Sequence, residues 1–119
     1  MGLTATIRMI GATARMELDG EVPRIIVAGR LEDQASLLFA EMLGGVVQQL
    51  VEAKAVPRPL VRIDCRRLEA MDARAVGVCV GQARLLWQAL DGFLMIMTPS
   101  RSIRSRFRDA GGSAGILIE

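Results

Sequence analysis

The stretch Ile63-Asp64-Cys65-Arg66-Arg67-Leu68-Glu69-Ala70-Met71-Asp72-Ala73-Arg74-Ala75-Val76-Gly77-Val78 decides how this chain is read. An apolar run over 60–64 predicts a strand ending in Asp64, and residues 65–71 read as a loop. Eight residues after Asp64 stands Asp72, whose carboxylate is suited to accept amide protons in the first turn of a helix. The helix predicted behind it runs over about 73–90 and stops at Asp91-Gly92. A strand feeding a capped helix is the alternation of an α/β sheet, and the flanking segments extend it.

Upstream, a first strand is predicted within 12–18, with Asp19-Gly20 as a turn into a second. Pro23 starts that second strand, and Ile25-Ile26-Val27-Ala28 reads as a run buried on both faces and ended by Gly29. Residues 1–11 are expected to form a loosely ordered segment ahead of it. Over 34–54 the period becomes helical, with Ala35, Phe39, Met42, Leu43, Val46, Leu50 and Ala53 on one side and Glu41, Gln48 and Glu52 opposite. Downstream, residues 93–97 read as a buried strand, and Thr98-Pro99 opens a third helix through Ala110, its core side carrying Ile103, Phe107 and Ala110. Gly111-Gly112 ends that helix before a last strand over 114–118. The order β-β-α-β-α-β-α-β predicts one α/β domain over 1–119, a four- to five-stranded mixed sheet with three helices.

Composition narrows the chemistry. The 119 residues hold 15 basic and 13 acidic side chains, no histidine and no tyrosine. Lacking histidine, the chain offers neither a Ser/His nor a Cys/His catalytic pair and no histidine-ligated metal. Trp87, Phe39, Phe93 and Phe107 are too few for a base-stacking platform. Cys65 and Cys79, with no secretory signal ahead of them, point to a reducing, cytoplasmic setting, and no window is apolar enough to span a membrane. The opening residues match a permissive myristoylation pattern through Gly2 and Thr6, but no second membrane signal follows. Packing and binding are favoured over catalysis.

Four segments together resemble the STAS family, the anti-sigma factor antagonist domains of bacteria. The strand running into Asp72 looks like that family's Asp-Ser-Ser/Thr-Gly-Leu-Gly motif at the second helix. Gly29-Arg30-Leu31-Glu32-Asp33 looks like its Gly-Glu-Leu-Asp segment, Thr98-Pro99-Ser100 like its Ser-Pro, and Asp109-Ala110-Gly111 like the end of its third helix. The resemblance implies a regulatory, non-enzymatic protein-binding module with no cofactor. Its implied partner is an anti-sigma factor or an ATPase-type serine kinase, with self-association left open. It also exposes a departure: Ala73 and Arg74 stand where the family carries its phosphorylatable hydroxyls, and no serine or threonine lies between Arg66 and Met97. Phosphorylation switching is therefore not expected at this motif, and Arg74 is no phosphate mimic, its charge having the opposite sign. The alternative within the fold is a STAS subunit of a transporter or a multiprotein signalling complex.

The second helix carries the expected docking row. Val76, Cys79, Val80, Ala83, Leu86, Trp87 and Leu90 form the predicted buried stripe, leaving Arg74, Val78, Gly81 and Leu85 opposite. With Arg30, Glu32, Asp33 and Asp72 these are the candidate partner-binding residues. Other readings have less behind them. A Cys-x5-Arg cradle on Cys65 fails because Met71 holds the arginine position, although Arg66 and Arg67 would favour a thiolate there. Gly77 and Gly81 have the spacing of a membrane helix dimer, but Arg74, Gln82 and Arg84 would face lipid. Neither a phosphate loop nor the acidic strand ends of a phospho-acceptor site are present. Arg101, Arg104 and Arg108 share a face of the third helix, and a solvated charged face accounts for them without nucleic acid.

Overall fold

A computed structural model describes residues 3–19, 22–110 and 114–119. Strands β1 (Leu3–Met9), β2 (Ala12–Asp19) and β3 (Val22–Leu31) form an antiparallel meander. Helix α1 (Gln34–Ala53) then leads to β4 (Leu60–Met71), α2 (Ala73–Leu90) to β5 (Phe93–Met97), and α3 (Arg101–Asp109) to β6 (Ile116–Ile118). The four strands from β3 to β6 run parallel, so the six-stranded sheet keeps chain order from β1 to β6. Every crossover steps to the next strand in the same direction. With one hand of connection, all three helices fall on the same face.

Burial follows that geometry. Alternate residues Ile25 and Val27, Val61 and Ile63, and Leu94 and Ile96 join one apolar core with Phe39, Leu43 and Val47 of α1, Val76, Cys79, Ala83 and Leu86 of α2, and Ile103 and Phe107 of α3. The intervening Ile26 and Ala28 are only half-buried, because the opposite face of the sheet carries no helix. The continuous apolar run of β3 therefore serves a one-sided layer, not the two-sided burial that its composition predicts.

The α/β class and the three helices agree with the sequence reading, and several details differ from it. The sheet has six strands because residues 3–9, expected to be loose, pair along β2, where Gly11 at φ 81° allows the reversal. Gly29 does not end β3: at φ 88° it sits at a register shift, and a Cβ there would lie 2.3 Å from the carbonyl oxygen of Gly11. Residues 65–71 continue β4 as strand, since Ala28 to Leu31 give them parallel partners that local sequence does not reveal. Ser100, not Thr98, caps α3, its Oγ accepting the Ile103 amide at 3.3 Å. Thr98 precedes a proline that disfavours the helical region and stands at φ 51°. Ala110 and Ala53 are exposed. Trp87 is 37% exposed, with its ring tilted 5.3 Å from that of Phe93. The turn at Asp19-Gly20 and the helix stop at Gly111-Gly112 involve residues outside the described ones.

Candidate functional site

Asp72 joins two helix N-termini. As predicted, it caps α2, its Oδ1 accepting the Ala75 amide at 2.9 Å. The same carboxylate reaches α1, taking the Ser36 hydroxyl proton at 2.7 Å on Oδ1 and the Asp33 amide at 3.1 Å on Oδ2. Asp33, at φ 56°, makes no side-chain cap of its own, so the first turn of α1 relies on a residue from the neighbouring β4–α2 junction. The backbone adds a strut where the Asp72 amide donates to the Leu31 carbonyl at 2.9 Å. Burial works to raise the pKa of Asp72, but the Ala75 amide, the Ser36 hydroxyl, the Asp33 amide and the charge of Arg74 outweigh it, and the net shift is downward. The carboxylate is thus a fixed anion shared between two helices.

Around that anion the expected candidates fall into two groups. Arg30 and Glu32 pair at the surface, with Nε donating to Oε1 at 2.7 Å, and Arg30 belongs to β3, so of these candidates only Glu32 and Asp33 lie in the connection to α1. They border a shallow hollow with Asp33, Gln34, Gly11 and Ile10, and Ile10 is 77% exposed. Ala73 and Arg74 are exposed in the first turn of α2. Farther along, Gly81 is exposed with no atom within 4 Å of where a Cβ would stand, and Leu85 is 42% exposed. Val78 is only half-exposed because it also packs on the core. Leu85 and Gln82 face Ala40, Glu41, Gly44, Gly45, Gln48 and Glu52 across a groove of about 640 Å³ between α1 and α2.

Sequence reasoning missed Ile10, the α1 wall of this groove and the role of Ser36. The exposed Leu37 and Leu38 at the head of α1 were legible as apolar positions outside the buried stripe. Ser36 gives no such signal, because its hydroxyl matters only through a carboxylate 36 positions away.

The cysteines are inert at neutral pH. Burial first, and the neighbouring Asp64 carboxylate second, push the Cys65 thiol up to about 12, and burial raises Cys79 further. The expected help from Arg66 and Arg67 toward a thiolate does not materialise: the Arg66 guanidinium is taken by Asp64 at 2.8 Å. Both thiols are free. Of the α3 arginines, Arg101 and Arg108 are exposed, while Arg104 donates to the Glu119 carbonyl at 2.7 Å. Among the described residues, no three His, Cys, Asp or Glu side chains are grouped as a metal site, and no helix is long and apolar enough to cross a membrane.

Comparisons place this geometry among known folds. No family model matches the chain, and neither does any curated protein. Among solved structures, the unphosphorylated anti-sigma factor antagonist SpoIIAA superposes with a TM-score of 0.69 at 21% identity, covering 89% of this chain and 87% of that one. The phosphorylated form of SpoIIAA, a Bacillus cell fate determinant, gives 0.64 at 22% identity, covering 89% and 90%. The chain therefore has the STAS-like α/β fold that the sequence resemblance implies.

Proposed function

We propose that this domain is a non-enzymatic, cytoplasmic regulatory module that docks a protein partner, an anti-sigma factor or an ATPase-type serine kinase, through the Asp72 tip and the adjoining α1–α2 groove. One observation carries the reading. A single carboxylate braces both helix ends, and Ala73 and Arg74 beside it, with Leu85 about three turns farther along α2, are left exposed without any evident need from folding. A cation in the first turn of α2 opposes the helix macrodipole, and an exposed leucine beside an open glycine is an expensive way to face water. Asp72 and Asp33 hold the tip, Arg74 and the Arg30–Glu32 pair present its chemistry, and Val78, Gly81 and Leu85 carry the surface along α2 to the groove.

No phosphorylation controls this tip. Ala73 and Arg74 carry no hydroxyl, and the hydroxyl that does reach Asp72, that of Ser36, is fully buried. Binding is constitutive or governed elsewhere, which also suits a fixed subunit of a transporter or signalling complex. Purified domain should be captured by a serine-kinase-type anti-sigma factor, and Arg74→Glu or Leu85→Asp should abolish that capture while melting stays within a few degrees of the unmutated protein. Capture unchanged by both substitutions would sink the assignment, as would the mass gain of one phosphoryl group on incubation with kinase and ATP that maps to the tip.

A further inference from the structure

The sheet face turned away from the helices carries a constellation that the docking tip does not use. Two rows of paired residues cross it, Thr6, Arg15, Ile26 and Asp64 in one and Arg8, Thr13, Ala28 and Arg67 in the next. The irregularity of β4 between Asp64 and Arg67 adds Arg66, and together these rows line a groove of about 690 Å³, the size of a small-molecule site. Ile26 and Ala28 of β3 give it a short-chained floor. Arg8 and Arg15 rise on one side, Arg66 and Arg67 on the other, with β2 and β4 two strand spacings, roughly 10 Å, apart.

The charges are arranged, not scattered. Four guanidiniums face one carboxylate, leaving a surplus of three positive charges. That carboxylate, Asp64, is buried and grips Arg66 through Nε at 3.2 Å and Nη2 at 2.8 Å, while Arg24 shares its Oδ2 at 2.6 Å. Among the described residues no ion pair is made by Arg8 or Arg67, and Arg15 meets Glu17 only at 3.9 Å. Folding does not ask for this, since like charges on neighbouring strands repel. Guanidinium forks and threonine hydroxyls are the donors that phosphate oxygens take. No aromatic ring lines the groove for base stacking, and a second copy of the chain would present the same positive face.

We propose that this groove binds a diphosphate, two linked phosphate groups whose negative charges match the surplus and whose span lets each side of arginines engage one phosphate. Arg66, held by Asp64, is the fixed fork, and Arg8, Arg15 and Arg67 close on the ligand. The inference does not rest on the docking reading, which uses the opposite face.

Calorimetric titration of the full chain at low salt tests it, with inorganic pyrophosphate, orthophosphate and adenosine diphosphate as probes. Pyrophosphate is expected to bind saturably, one to one, at least tenfold tighter than orthophosphate. The double variant Arg15→Ala/Arg67→Ala should weaken it at least tenfold with its melting temperature unchanged. Arg101→Ala/Arg108→Ala, which removes the same charge from α3, should leave it within twofold. Adenosine diphosphate binding tighter than pyrophosphate identifies a nucleotide as the source, and equal or weaker binding an inorganic diphosphate. Absence of saturable binding by either, no preference over orthophosphate, or equal loss in the two double variants overturns the proposal.

Discussion

Replacing Asp72 by alanine removes one carboxylate from three donors at once, and the structure says what each loss is worth. The α2 cap contributes about 1 kcal/mol. The Ser36 hydroxyl is fully buried, so without its acceptor it costs about 1–3 kcal/mol as an orphaned group. The Asp33 amide sits at an exposed residue, where water substitutes at little cost. The expected destabilisation is therefore about 2–4 kcal/mol, a large share of the about 5–15 kcal/mol typical of a domain. At roughly 4 °C per kcal/mol for this size, melting should fall by about 8–16 °C. Urea unfolding followed by circular dichroism measures it. The sharper test is a cycle with Ser36→Ala, since removing both partners leaves no orphaned hydroxyl: the double variant should lose less than the sum of the singles by about 1 kcal/mol or more. Losses that add to within about 0.5 kcal/mol, or an Asp72→Ala loss under about 1 kcal/mol, would refute the account of Asp72 as a brace between the two helices.

Two other outcomes follow from local physics. Because the Cys65 thiol is raised to about 12 and Cys79 is raised as well, the unfolded chain releases protons first, above roughly 8.5; stability is full below that pH and falls above it, by up to about 1.4 kcal/mol per pH unit per thiol. Melting curves from pH 6 to 10.5 should therefore be flat and then decline, and Cys65→Ala should shallow the decline. At the glycines the sign reverses with position. Gly29→Ala, at φ 88° and against the Gly11 carbonyl, should destabilise by about 2 kcal/mol or more, whereas Gly81→Ala, in open space on α2, should stabilise by about 0.5–1 kcal/mol; chemical denaturation of the pair reads both.

Much of this was legible because the signals are local. Asp72 before small residues is a local capping signal, and its bond to Ala75 spans three positions. The apolar period of α1 and α2 faces the core as read, except that Ala53 at the end of α1 is exposed and Trp87 and Val78 lie at the margins of the α2 stripe. The extension of β4 through residues 65–71 was not legible, because their strand state depends on β3 as a partner and their own composition is charged. The same holds for β1, whose pairing with β2 needs a positive φ at Gly11 that several kinds of turn could supply.

The sequence by itself determined the α/β class, the cap at Asp72 and the absence of serine and threonine between Arg66 and Met97, since each depends on residues a few positions apart. It also placed Arg74, Gly81 and Leu85 on the outer side of α2. Only the tertiary structure decided that Asp72 serves α1 as well, through Ser36 and Asp33, and that arginines of β1, β2 and β4 converge on one bare face. Helical period and capping are short-range consequences of the chain's own geometry; strand partners and shared carboxylates join residues that only the closing of the sheet brings within hydrogen-bond range.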